Sequence, residues 1–345
     1  MVVRYYLNKK ERMMTVTRIF DTPPCITSFA AVGGSSEGKG PLGNHFDYIS
    51  DDEYFGRTTY EQAESELQRQ TAAIALEKAG LKFSDIDVIL GGDLLNQCVA
   101  TSFGQRESGV SILGLYAACS TFTEGLILSG VLTSYGLAGK ALGITSSHFC
   151  SAERQYRMPI EYGGQRAPTT QRTATAAGAV IVGQGECAPF IRGFTVGRIV
   201  DMGVTDAANM GAAMAPAAYD TITRFLNESG KSLADFDRII TGDLGMIGSS
   251  LLYKLFERDG VDIKDKHLDC GCLLYDPDIQ DVHSGGSGCG CVASVSCAYL
   301  LPKIISGEYE NILLAATGAL MSPTMTQQGE SIPSVSHAVW LSHSV

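Results

Sequence analysis

At 345 residues, 45% hydrophobic and 18% charged with 39 glycines, the chain is long enough for two fused half-domains and too apolar for disorder. A formal net charge of −11 provides no basic field for a phosphate backbone and argues against nucleic acid as a partner. No apolar run reaches the roughly 18–20 residues that span a bilayer, and the N-terminus lacks the apolar core of a signal peptide, so synthesis in the cytoplasm is expected.

Residues 1–16 read as a solvated tail carrying Arg4, Lys9, Lys10 and Arg12. Two α/β halves are expected after it, over 17–189 and 190–345, because one plan is written twice. Asp85-Ile86-Asp87-Val88-Ile89-Leu90-Gly91-Gly92-Asp93-Leu94 returns as Asp235-Phe236-Asp237-Arg238-Ile239-Ile240-Thr241-Gly242-Asp243-Leu244, every pair offset by 150 positions. In each copy a helical stretch, about 60–79 and about 217–229, leads through a glycine turn (Gly80, Gly230) into an apolar strand that ends at Gly-Asp-Leu.

The second part of the unit recurs too. Val110–Tyr116 reads as a buried strand, Cys119 opens a helix to about Tyr135, and a strand follows over Ala141–Ser147. The later copy runs from Cys289 through a helix to about Ile305 and then a strand over Ile312–Gly318. Helices alternating with strands predict right-handed crossovers and a mostly parallel sheet in each half.

Chemistry is expected where strands end. Cys119, in Ala118-Cys119-Ser120-Thr121, stands at a predicted helix N-terminus, where the helix dipole favours thiolate over thiol, or is a buried structural cysteine. His148 ends the next strand and is a candidate partner for that sulfur, or a satisfied loop histidine. Asp93, Leu95 and Asn96 follow one strand end and Asp243 another; each aspartate is either a ligand group or a helix cap. Gly285-Gly286-Ser287-Gly288 offers successive N–H groups to an anion, or marks close backbone packing. Arg154 and Arg157 are candidate forks for a carboxylate, with pairing to Glu153 or Glu161 as the plainer account. The ten cysteines are irregularly spaced among small and apolar neighbours, which suits reduced core thiols; Cys270-x-Cys272 and Cys289-x-Cys291 lack zinc-knuckle spacing, and no metal site is expected.

Gly-Pro-Leu-Gly (40–43), Gly-Asp-Leu-Leu-Asn-Gln (92–97), Ala-Cys-Ser-Thr (118–121), Thr-Ser-Ser-His (145–148), Ala-Glu-Arg-Gln-Tyr-Arg (152–157), Glu-Tyr-Gly-Gly-Gln (161–165), Ala-Met-Ala-Pro-Ala-Ala (213–218) and Gly-Gly-Ser-Gly-Cys (285–289) together resemble the stage V sporulation protein AD family from about residue 17 onward. That resemblance implies a thiolase-like α/β fold, two pseudo-two-fold-related halves in an αβαβα layering, with Cys119 at the nucleophile position of thiolases and ketoacyl synthases. It also implies a dipicolinic acid-binding subunit of the spore dipicolinate transport system, with calcium as a possible companion of the ligand. Membrane subunits of that system would be partners, at the spore inner membrane, and a homodimer is expected by analogy.

Catalysis is not expected. The ketoacyl synthase plan puts a histidine after the first strand of the second half, where this chain has Gly242-Asp243-Leu244-Gly245. It puts a histidine or asparagine before the last helix, where this chain has glycines 285–288 around Ser287. The rival expectation is acyl transfer through Cys119 with His148 as base, on coenzyme A or carrier-protein thioesters. A scaffold without a working pocket is the third.

Overall fold

In the computed structural model, which describes residues 16–156 and 165–345, the duplicated sequence is a duplicated fold. The first unit holds β1 (Thr17–Ile19), β2 (Cys25–Gly33), α1 (Ser35–Gly38), β3 (Tyr48–Ile49), α2 (Tyr60–Ala79), β4 (Val88–Gly92), α3 (Val99–Gln105), β5 (Ser111–Leu115), α4 (Thr121–Ser134), β6 (Lys140–Ser147), α5 (Phe149–Tyr156), β7 (Arg172–Thr173) and β8 (Ala176–Gly183). The second holds β9 (Phe190–Thr195), α6 (Met210–Ser229), β10 (Arg238–Thr241), α7 (Gly245–Arg258), β11 (His267–Asp269), α8 (Cys270–Leu274), β12 (Gly286–Ser287), α9 (Cys289–Val295), α10 (Leu301–Ile305), β13 (Asn311–Ala319), α11 (Pro323–Gln327) and β14 (Ser334–Ser342).

Local chemistry sets the repeat. Helices α2 and α6 both end on a left-handed glycine, Gly80 at φ +66° and Gly230 at φ +69°, a backbone state that side chains resist. The chain then turns around a carboxylate that accepts from the backbone three residues earlier: Asp85 from the Lys82 N–H and Asp235 from the Ser232 N–H, both at 2.8 Å. Helix α6 begins at Met210, earlier than the expected 217, because Asn209 caps it and its buried Met210, Ala213 and Met214 face the core despite Pro216.

Strand order is β5-β4-β6-β8-β2 in one half and β11-β10-β13-β14-β9 in the other. The outer three of each half are parallel, as expected. The inner two are antiparallel, because β8 returns beside β6 and β14 beside β13, a pairing that needs no crossover helix. The halves meet at the Cys25–Phe190 pair of β2 and β9. Helix α4 packs on β4 and β6 of its own half, on β13 and β14 of the other, and on α9, so these two helices form the middle layer. Helices α2 and α3 cover one outer face, and α6 and α7 the other.

Two further points depart from expectation or bear on function. The Val110–Tyr116 stretch is buried only at Leu115: β5 is the sheet edge and exposes Ser111 to Gly114. Trp340, the single tryptophan, lies on β14 with Phe236 and Phe225 edge-on, at ring separations of 5.8 and 6.4 Å. No helix among the described residues is long and apolar enough to cross a membrane.

Candidate functional site

Cys119 sits in the tight turn between β5 and α4. Ala118, just before it, has φ +48°, a strained conformation outside glycine, which raises the sulfur at the strand-to-helix corner as a nucleophile elbow does. The turn is held from the second half, since Gly318 of β13 packs so close that a Cβ there would lie 2.2 Å from the Ala117 carbonyl. Ser120 fastens the same contact: its Oγ donates to the Ala316 carbonyl at 2.9 Å and accepts from the His337 N–H at 3.1 Å. Ser120 is therefore a tie between halves.

Three of the expected residues converge. The Cys119 sulfur lies 3.9 Å from Ser287 Oγ. That hydroxyl donates to Asp243 at 3.0 Å, and the same carboxylate accepts from the Gly288 N–H and the Thr317 hydroxyl, each at 2.9 Å. Asp243 and Ser287 are thereby joined to Cys119 in one buried cluster. Burial pushes Asp243 up to about 6, and burial together with the negative charge of Asp243 pushes the Cys119 thiol well above its usual range. Both effects oppose the helix-terminus dipole and favour the thiol, the buried-cysteine alternative.

Above the sulfur is a small cleft of ≈ 40 Å³, enough for about three waters. Leu94, Ala118, Ala152, Met210, Ala319 and Met321 make it apolar, Tyr116 and Tyr156 stand over it, and Thr173, Ser287 and Glu153 supply polar groups. The two tyrosine hydroxyls are 2.9 Å apart and Tyr156 also donates to the Leu94 carbonyl. Burial raises both phenols, so they remain protonated donors. Among the described lining residues there is no arginine, lysine or histidine.

The other expected residues lie elsewhere. His148 is fully buried, but its Nδ1 accepts from the Cys150 N–H at 3.2 Å and its Nε2 donates to the Glu53 carbonyl at 2.8 Å, with Tyr60 against the ring. Burial lowers its pKa, the ring is neutral, and it does not line the cleft. Asp93 spends both oxygens on its own half, accepting from Leu95 N at 2.9 Å, Thr101 N at 2.8 Å and the Thr101 hydroxyl at 2.7 Å; it anchors the first turn of α3. Leu95 is buried, while exposed Asn96 exchanges hydrogen bonds with Gln155. Arg154 is half-exposed and pairs with Glu61. Arg157 and Glu161 lie outside the described residues. Gly286 pairs with Arg172 in the short β7–β12 ladder, and a Cβ on Gly288 would meet Ser147 Oγ at 2.6 Å, so close packing accounts for these glycines. Every described cysteine is a free thiol, and no cluster that could hold a metal occurs among the described residues.

Sequence reasoning passed over Tyr116, Tyr156, Thr173, Thr317 and Met321. Tyr116 adjoins the Cys119 turn, and Thr317 and Met321 sit at the end of β13, so the strand-end rule applied to the second half would have found them.

An α/β chain with a duplicated three-parallel, two-antiparallel half-sheet and a cysteine at the elbow between them is a thiolase-fold protein. Solved structures agree: the 3-oxoacyl-[acyl-carrier-protein] synthase III of Aquifex aeolicus VF5 covers 92% of this chain and 99% of its own at 16% identity and a TM-score of 0.56. A variant of OleA from Xanthomonas campestris covers 94% and 99% at 14% identity and a TM-score of 0.57. The model of the stage V sporulation protein AD family matches residues 14–342, and the stage V sporulation protein AD of Bacillus subtilis (strain 168) is 41% identical over 323 residues, 94% of this chain and 95% of that one. The chain belongs to the stage V sporulation protein AD family.

Proposed function

We propose that this chain is a non-catalytic binding subunit of the spore dipicolinate transport system and takes pyridine-2,6-dicarboxylate, alone or with calcium, in the cleft above Cys119. The observation that carries the reading is the Cys119–Ser287–Asp243 cluster. No histidine lines the cleft among the described residues, and burial with the Asp243 charge disfavours the Cys119 thiolate, which supports a binding role over acyl transfer. The lining suits a flat aromatic acid: apolar side chains for the ring, and the hydroxyls of Thr173 and of Tyr116, once parted from Tyr156, to donate to carboxylates. The cleft is narrow as it stands, so entry requires the Tyr116–Tyr156 bridge to part.

Calorimetry with dipicolinate, with and without calcium, tests the reading. Saturable binding is expected, lost in Cys119→Trp, which fills the cleft. An acyl adduct on Cys119 after incubation with short acyl-coenzyme A thioesters would instead favour the enzyme reading, and no binding under either condition would leave a scaffold.

We further infer a homodimer through β5. Its exposed Ile112 and Leu113, with Phe103 and Tyr116 nearby in sequence, form an open apolar sheet edge of the kind natural proteins cover. Leu113→Lys is expected to shift the species seen by light scattering from dimer to monomer. Membrane subunits of the transport system remain the proposed further partners, which would place the chain at the spore inner membrane.

A further inference from the structure

Where the chain passes from β8 to β9, the loop over 184–189 folds back on the first residue of β2. There the sulfurs of Cys25 and Cys187, 162 positions apart, approach to 2.9 Å, closer than two thiols ordinarily pack. Cys25 is buried and Cys187 exposed, and both are free. The loop is shaped around them, since a Cβ on Gly185 would stand 2.9 Å from the Cys25 sulfur and 3.6 Å from that of Cys187. The contact lies at the junction of the half-sheets, beside the Cys25–Phe190 pair and the flanking bonds Ile26 N–H to Pro189 O at 2.9 Å and Ile191 N–H to Pro24 O at 2.8 Å.

We propose that Cys25 and Cys187 are a redox pair that closes to an intramolecular disulfide and fastens the inter-half loop to the first long strand. The oxidant is a low-molecular-weight disulfide such as oxidised glutathione. The Cys187 thiolate attacks one of its sulfurs and expels the other as a thiolate, leaving a mixed disulfide on Cys187. Cys25 gives up its proton to solvent, and its sulfur attacks the Cys187 sulfur, forming the protein S–S bond and releasing the second small thiolate, so two electrons pass from the two cysteines to the oxidant. The order follows from access. Burial and the Cys187 contact push the Cys25 thiol up to about 12, while Cys187 meets solvent. Burial likewise holds the Cys119, Cys270, Cys289 and Cys291 thiols well above the usual range, so these are poor competitors.

The test treats the full chain, purified reduced, with oxidised glutathione, then alkylates it under denaturing conditions and maps the peptides by mass spectrometry. The expected result is a linked Cys25–Cys187 peptide pair lighter by two hydrogens, reversed by dithiothreitol. A melting temperature raised by ~5 °C or more should accompany it, because the bond closes a long loop of the unfolded chain. In Cys25→Ser the same treatment should stop at a glutathione adduct on Cys187. Should that variant fold poorly, the exposed-site variant Cys187→Ser serves instead and should lose both the linked peptide and the rise in melting temperature. A stable glutathione adduct on Cys187 of the unmodified protein, or a Cys25 that still alkylates fully after oxidation, would overturn the proposal.

Discussion

Asp93 and Asp243 occupy one position of the repeat, 150 residues apart, and do different work. Asp93 looks inward to α3 of its own half. Asp243 reaches Ser287, Gly288 and Thr317 and lies beside Cys119, whose turn comes from the other half. The neighbour in the preceding helix differs as well: Glu64 of α2 is buried with Asp93, whereas Met214 fills the matching place in α6. A duplicated backbone fixes where a side chain starts, and the partners it meets decide whether it braces a helix or sets the charge of a cleft.

The largest effect that tests this contrast is structural. Asp93→Ala strands three buried donors and is expected to cost about 3–5 kcal/mol in denaturant melts, with the first half affected first. A loss under ~1 kcal/mol would mean that α3 is held by other contacts.

Next comes Glu64. Its carboxyl accepts from Ser146 at 3.0 Å and Ser151 at 2.8 Å, and burial, then the charge of Asp93, pushes it up to about 8 from 4.5. A folded pKa above the unfolded one stabilises fully below about 4.5, and that contribution fades as the pH rises through about 8. Glu64→Gln, which mimics the neutral acid, should match the unmodified protein near pH 5. By pH 9 it should be more stable by roughly 2–4 kcal/mol, with melts at the two pH values as the readout. Equal pH dependence in both proteins would show that Glu64 ionises freely.

Asp243→Asn should leave the fold largely intact and remove the charge that disfavours the Cys119 thiolate. Iodoacetamide should then label Cys119 measurably faster, because a larger fraction of the sulfur is thiolate. An unchanged rate would assign the protection of the thiol to burial alone. The smallest effect is expected for Arg154→Ala, within about 0.5 kcal/mol in stability and without change in dipicolinate affinity. Loss of binding there would move the ligand site onto the surface of the first half.

The sequence carried the fold well where the signals were local. Gly80, Gly230, Asp85 and Asp235 are turn chemistry written within a few residues, which is why α2 and the C-terminal end of α6 could be placed, while α6 starts at Met210, seven residues before the expected 217. The turn at Cys119 followed from its strand end and the family resemblance, but the pocket was expected to lie toward His148 and Asp93–Asn96, whereas the sulfur faces Ser287 and Asp243. What escaped was the direction of side chains and their long-range partners. A strand end places the His148 backbone, but its ring turns to Glu53, 95 positions away. Arg154 finds Glu61, 93 positions away, a pairing that nothing in the Ser151–Tyr156 stretch announces. The exposure of β5 escaped because an apolar edge strand and an apolar buried strand read alike.

Trp340 makes this protein's fluorescence one-sided. The only indole sits in the core of the second half with Phe225 and Phe236, so its emission follows that half and is blind to the other. A variant that loosened only α2, α3 and their strands would lose far-ultraviolet ellipticity while the emission maximum stayed where it was, and the two halves could be watched separately without attaching any label.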